Sequence, residues 1–172
     1  MSWKNTEHRY GSLSIGLHWL MLVLIAVVYF TMEFRGLFPK GTDGRELMKQ
    51  THFMLGLSIF ALVWVRLIAR LIAPTPKIVP AIPAWQAIPA KLMHLALYAL
   101  MIGTPLLGWL ILSAFGKPIP FFGLELPALI APNHDFGEQL EHWHVRLADA
   151  GYWLIGLHLS LIHISEPTRQ EA

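Results

Sequence analysis

The sequence predicts an all-α integral membrane protein built as a four-helix bundle. Three observations carry this. The 172 residues are 55% hydrophobic and only 14% charged, whereas a soluble domain carries nearer ~25% charge. The mean hydropathy is +0.49. The apolar residues gather into four stretches on a scale that can cross ~30 Å of hydrocarbon at ~1.5 Å per residue. Residues 1–164 are expected to form one transmembrane domain, with 165–172 as a short polar tail.

Composition also excludes several classes. Cysteine is absent, so there is neither a disulfide framework nor a thiolate metal site. A formal charge of +2 is too small and dispersed to indicate a nucleic-acid partner. The opening MSWKNTEHRYGS is polar and shows no cleavable signal pattern, so the first apolar stretch is expected to be retained.

The first span, residues 13–32, reads LSIGLHWLMLVLIAVVYFTM and contains no formal charge. The second, 51–71, contains FMLGLSIFALVWV and places Arg66 and Arg70 near its end, where long side chains can snorkel. The third, 92–115, has Pro105 inside it; a membrane helix tolerates the resulting kink. The fourth, 140–164, is the least hydrophobic because Arg146 and Asp149 interrupt it. Those two residues lie three apart on one helical face and are expected to pair, with proton uptake as the functional alternative.

The connections differ in character. Residues 33–49 read as a polar loop, and 73–91 as a proline-rich one. Residues 116–139 carry four prolines and several acids and read as a short surface element. The lysine and arginine bias puts both termini on the cytoplasmic side, with Lys4, Arg9, Lys77 and Lys91 there. Most of the tryptophans, Trp19, Trp64, Trp85, Trp109, Trp143 and Trp153, read as packing and interfacial residues.

The histidines fall at two depths on this map. His18 and His158 share the inner level; His52 and His144 share the outer. His144 and His158 are fourteen residues apart. At about 100° per residue they face within roughly 40° of each other, roughly 21 Å apart along the axis. Gly151 lies between them on nearly the same face, where a missing side chain admits a flat ligand or a neighbouring helix. His142 points elsewhere and is a poorer candidate. Two neutral imidazoles facing across a bundle can ligate haem iron axially, while their remaining ring protons need acceptors. Arg146, Arg9 or Arg66 could assist propionates at the boundaries. Each depth offers two histidines and no evident third or fourth ligand, which makes zinc a poorer fit. Histidine count alone leaves copper open. The competing structural reading is that these are interfacial histidines that ligate nothing. His94, at the start of the third span, reads first as a helix cap, then as a quinone or propionate contact. His8 and His134 read as solvated.

The ordered motifs resemble the bacterial cytochrome b561 family, within the wider group of di-haem four-helix membrane cytochromes. The resemblance covers roughly residues 6–160. It rests on SIGLHWLM, YFTMEFRGLFPK, KQTHFMLGLSIFALVWVRLIARL, KLMHLALYALMIGTPLLGW and EHWHVRLADAGYWLIGLH. It implies a cytoplasmic-membrane protein with two haem b groups, His18 and His158 matching one axial pair and His52 and His144 the other. It further implies electron transfer with ubiquinone as acceptor, and a homodimer. Some relatives look like superoxide:ubiquinone oxidoreductases. Others are electron-transfer subunits of a membrane hydrogenase or dehydrogenase, so superoxide or a membrane redox enzyme is the implied donor. For superoxide, Arg35, Lys40, Arg45 and Lys49 could supply a steering field, opposed by Glu33, Asp43 and Glu46. After HLSLIHI the chain reads SEPTRQEA, where family members continue the helix and end on a basic segment; this tail is expected to be truncated or foreign. A proton or metal transporter is the distant alternative, predicting flux without stoichiometric haem, and a purely structural bundle predicts neither.

The predicted orientation has a direct check. A tag at the amino terminus should resist protease in intact spheroplasts; its cleavage there would place that terminus outside.

Overall fold

In a membrane every backbone polar group must find a partner within the protein, which favours long uninterrupted helices. The computed structural model describes residues 3–7, 9–74, 76 and 83–165, with backbone only for 162–165. It contains α1 (Ser12–Glu33), a 3₁₀ turn (Phe34–Leu37), α2 (Asp43–Ile72), α3 (Ala84–Ala114) and α4 (His134–Ser165). A hairpin of two-residue strands, β1 (Pro120–Phe121) and β2 (Leu124–Glu125), joins α3 to α4. Among the described residues, α1 with its 3₁₀ turn, α2 and α3 are long and apolar enough to cross a membrane. α4 is as long, at 32 residues, but its first third is polar. The tail beyond Ser165 lies outside the described residues.

Three helices begin earlier than their hydropathy indicates, for local reasons. α2 starts at Asp43 rather than residue 51, so much of the expected 33–49 loop is helical. Asp43 and Glu46 in its first turn suit the positive end of the helix dipole. Arg45 donates to the carbonyl oxygens of Arg35 and Phe38, tying the 3₁₀ turn to this extension. α3 starts at Ala84 rather than 92, with Gln86 and Ala87 N–H groups received by the Pro83 carbonyl. It continues through both Pro89 and Pro105. α4 starts at His134 rather than 140 because Asn133 caps it: its Oδ1 accepts the Phe136 N–H at 3.0 Å.

Packing runs α1 on α2, α2 on α3 and α3 on α4. Among the described residues, α1 and α4 lack close backbone approach and meet through side chains. The Tyr29 hydroxyl donates to the Ala148 carbonyl at 2.7 Å, and the Tyr152 hydroxyl to Glu33 Oε1 at 2.6 Å. Their rings stack obliquely with centroids 4.6 Å apart. Helix association in lipid gains little from the hydrophobic effect, since acyl chains are as apolar as leucine; packing and hydrogen bonds must do the work. That accounts for a small core and a largely apolar outer surface. Met21, Ile59 and Val63 are buried together among Leu24, Ile25, Val28, Leu62, Tyr98, Met101 and Ile102. Trp19, Trp64, Trp85, Trp143 and Trp153 are all exposed on the protein alone, as lipid-facing or interfacial residues should be.

Gly151 is buried, and the close approach is made by protein. A Cβ there would run into the Tyr29 hydroxyl and press on Leu100 of α3. Gly156, five residues on, has open space around its Cβ position. Gly151→Val should therefore overpack the α1–α3–α4 junction and destabilise the protein by about 1–3 kcal/mol. Gly156→Ala should leave stability unchanged or raise it by up to ~1 kcal/mol. Thermal unfolding of both variants in detergent checks the contrast.

Candidate functional site

Two histidines from different helices meet at one level of the bundle. His52 comes from α2 and His144 from α4, and their ring centroids lie 6.0 Å apart with planes at 73°. Each ring is held by a carbonyl from a neighbouring helix. His52 Nδ1 is 3.1 Å from the Val28 carbonyl oxygen of α1. His144 Nδ1 is 2.9 Å from the Thr104 carbonyl oxygen of α3. A carbonyl only accepts, so both rings carry their proton on Nδ1 and leave Nε2 as the basic nitrogen. Ligating histidines generally show this arrangement.

The surroundings support both rings. The His144 ring lies against α3 at Gly108, whose Cβ position is 3.6 Å from His144 Cε1. Phe53 stands edge-on to His52 with centroids 6.1 Å apart. The buried Thr31 hydroxyl donates at 2.7 Å to the Val28 carbonyl, the same oxygen that receives His52. That carbonyl is thus shared between two side-chain donors.

The ring centres are separated by about the distance that a shared iron would require. Two metal–imidazole bonds of about 2 Å, plus about 1 Å from each nitrogen to its ring centre, separate the centres by roughly 6 Å. Among the described residues no group of three or more His, Asp or Glu side chains is arranged to hold a metal ion. The site is therefore a two-nitrogen one, suited to axial ligation of a macrocyclic iron.

The second level is arranged differently. His158 contacts His94, with ring centroids 5.6 Å apart and planes at 76°. His18 lies within electrostatic reach of His158 and His94 but takes its close contact from Arg66, whose Nη1 is 3.2 Å from His18 Nδ1. Guanidinium only donates, so His18 accepts on Nδ1 and carries its proton on Nε2, the opposite tautomer to His52 and His144. His94 is not a cap. α3 begins ten residues before it, and His94 Nδ1 donates back to the Ala90 carbonyl at 2.7 Å. Taking the third helix to start at residue 92 made His94, already at the inner depth, read first as a cap.

Other expected contacts are corrected. Arg146 does not pair with Asp149; its Nε is 2.9 Å from His142 Nε2, one helical turn back. His134 is exposed, as expected, and lies against Phe115. His8 and the side chain of His163 lie outside the described residues. On the loop read as a steering field, Arg45 is committed to backbone carbonyls and Lys49 pairs with Glu46 at 2.7 Å. The Tyr29–Tyr152–Glu33 bridge was not anticipated, because no residue spacing connects two helices so distant in sequence.

Comparison with known proteins gives the family. Residues 9–171 match the Prokaryotic cytochrome b561 family. The chain is 37% identical over 151 residues to cytochrome b561 homolog 1 of Escherichia coli (strain K12), covering 88% of this chain and 86% of that protein. It is 35% identical over 157 residues to the probable superoxide oxidase CybB of Yersinia pestis, covering 90% and 88%. It is 32% identical over 151 residues to cytochrome b561 homolog 2 of Escherichia coli (strain K12), covering 83% and 78%. Three apolar spans and this kinship identify a multi-pass inner-membrane protein. The chain belongs to the prokaryotic cytochrome b561 family.

Proposed function

We propose that this protein is a di-haem b-type cytochrome that passes single electrons across the membrane to ubiquinone, acts as a homodimer and has both termini in the cytoplasm. Family membership carries the electron-transfer role and haem b as cofactor. The observation that supports a redox site most directly is the His52–His144 pair: correct spacing, matched tautomers, and ring orientation held by carbonyls from two other helices.

In this reading His52 and His144 hold one haem iron through Nε2, and His18 and His158 hold the other. Bound haem b supplies the one-electron chemistry, and the protein supplies ligands, orientation and a dry surround. Were His18 to hold iron through Nε2, its ring proton would sit on Nδ1, and the Arg66 guanidinium that now contacts Nδ1 would be left for another acceptor such as a propionate. Arg70, over the Tyr98 ring at 5.8 Å, adds a second cation at this end. The Met21–Ile59–Val63 core fills the interval between the levels with apolar side chains. His94, in contact with His158, stands where an acceptor bound at the inner level would meet it.

Superoxide is the proposed donor, in keeping with the likeness to the probable superoxide oxidase CybB of Yersinia pestis. One observation favours a second reading, an electron conduit docked to a dehydrogenase or hydrogenase. Arg45 and Lys49 are engaged by neighbours, which leaves less free positive charge for steering a small anion. Superoxide-dependent ubiquinone reduction by the purified protein separates the two: turnover supports the oxidase, and reducible haems without turnover support the conduit.

Haem content tests the ligand assignment. Purified protein should carry two b-haems per chain, and His144→Ala or His158→Ala should each retain one. Haem-free wild-type protein of intact fold would overturn the reading. The shared carbonyl predicts a finer effect. Thr31→Val removes one donor from the Val28 oxygen, so the His52 Nδ1–H bond strengthens and the ring gains anionic character. The midpoint potential of the His52–His144 haem should fall while the other stays put. Thr31→Ser should leave both unchanged in a redox titration.

A further inference from the structure

The connection between α3 and α4 is written in apolar residues. From 118 to 132 it reads PIPFFGLELPALIAP, in which Glu125 is the only charge. Connections in water are normally built from polar turn residues. We infer that the hairpin formed by β1 and β2 is a lipid-contact element, folded back into the interface of the leaflet on the His52–His144 side.

The chain path supports this. After α3 ends, Gly116 at φ +61° turns the chain, and Lys117 N–H donates back to Leu112 O. Ile119 is then buried against Leu57 and Leu112, with Phe53, Trp109, Phe121 and Leu126 around it. Leu57 lies five residues deeper along α2 than His52. The hairpin therefore runs alongside the spanning part of α2 and α3 rather than rising away from it.

Its outward face is apolar as well. Phe122 is 63% exposed and Leu124 is 68% exposed. Phe122 has φ +47° and Gly123 φ +85°, a turn in which asparagine or aspartate usually precedes the glycine. An aromatic side chain in that conformation is strained and, in water, gains nothing from projecting. In the bilayer interface it gains contact, because aromatic rings favour that zone.

The backbone is prepared for an environment poor in water. Pro118, Pro120, Pro127 and Pro132 have no N–H to satisfy. The strands pair with each other, Leu126 N–H donates to Ile119 O at 2.9 Å, and Leu129 N–H donates to Ser113 Oγ at 3.1 Å. The Trp109 indole N–H donates to Pro127 O at 3.0 Å. Unpaired groups of this kind are costly in lipid and nearly free in water.

Lipid is the occupant favoured over a protein partner because the exposed tip residues, Phe122 and Leu124, are apolar, because the hairpin packs on the membrane-spanning helices at Leu57 and Leu112, and because its backbone groups are met from within the chain. Phe53 joins the hairpin cluster to the His52 ring. Resting on the redox reading above, a water-soluble donor would then be kept from this flank and would approach from the α1–α4 side, where Glu33 and Tyr152 lie.

The absence of native cysteine makes the test clean. Phe122→Cys, carrying a nitroxide and reconstituted in phospholipid nanodiscs, would be examined by power-saturation EPR with oxygen and with a water-soluble nickel chelate. Val23→Cys on exposed α1 and Lys40→Cys in the loop give the lipid and water references. Residue 122 should relax with oxygen over nickel, to a degree between Lys40 and Val23 as an interfacial site should. Nickel over oxygen would place the tip in water, and protection from both would mean protein covers it; either overturns the proposal. Leu124→Cys repeats the measurement outside the strained turn, so a disturbed conformation at 122 cannot decide the outcome. Haem content of the labelled proteins separately reports the redox reading.

Discussion

A histidine inside a bilayer must find an acceptor for its ring proton, and here two histidines find theirs on neighbouring helices. His52 of α2 reaches the Val28 carbonyl of α1, and His144 of α4 reaches the Thr104 carbonyl of α3. Their rings then face each other at 6.0 Å. Two side chains thus draw all four helices to one level. Each such bond contributes modestly to stability in a membrane, about 0.6–2 kcal/mol. Their larger effect is geometric, because they choose the tautomer and aim the free nitrogens.

The rest of the bundle follows from keeping that level in place. α1 and α4 stay apart in backbone and are spanned by Tyr29 and Tyr152. Gly151 of α4 gives way to the Tyr29 ring and Gly137 of α4 to the Phe115 ring, while Gly108 of α3 lies in ordinary contact with the His144 ring. The inner level has different electrostatics. Arg66 contacts His18, and a third histidine, His94, contacts His158. A site with fixed neutral acceptors and a site with a movable cation should bias iron potential differently, since a nearby positive charge favours the reduced form.

Much of this was legible from residue order because lipid imposes simple rules. Apolar length located the helices, and the fourteen-residue interval from His144 to His158 put two rings on one face. Hydropathy failed at helix starts because the extra turns of α2 and α4 stand outside the apolar zone; caps and acidic first turns govern them. The two-histidine pairing at the outer level needed only depth and angle. The inner cluster needed more, since placing His94 depends on where α3 begins and placing Arg66 depends on a flexible side chain. The Arg146–Asp149 pairing failed because spacing on one face permits a contact without choosing it, and His142, one turn back, offered another acceptor within reach. The hairpin was hidden because its prolines read as a loop, and because the acids at Asp135 and Glu138 made the whole connection read as a surface element.

The central proposal is that His52 and His144 would hold a single haem iron, each ring kept by its backbone carbonyl in the crossed orientation, planes at 73°, that the protein alone shows. Low-temperature EPR of the ferric protein tests it most directly, because axial imidazoles with crossed planes give a strongly anisotropic low-spin signal. The account predicts such a signal from this site, lost in His144→Ala. A high-spin signal, or a rhombic low-spin signal of parallel imidazoles that persists without His144, would contradict it.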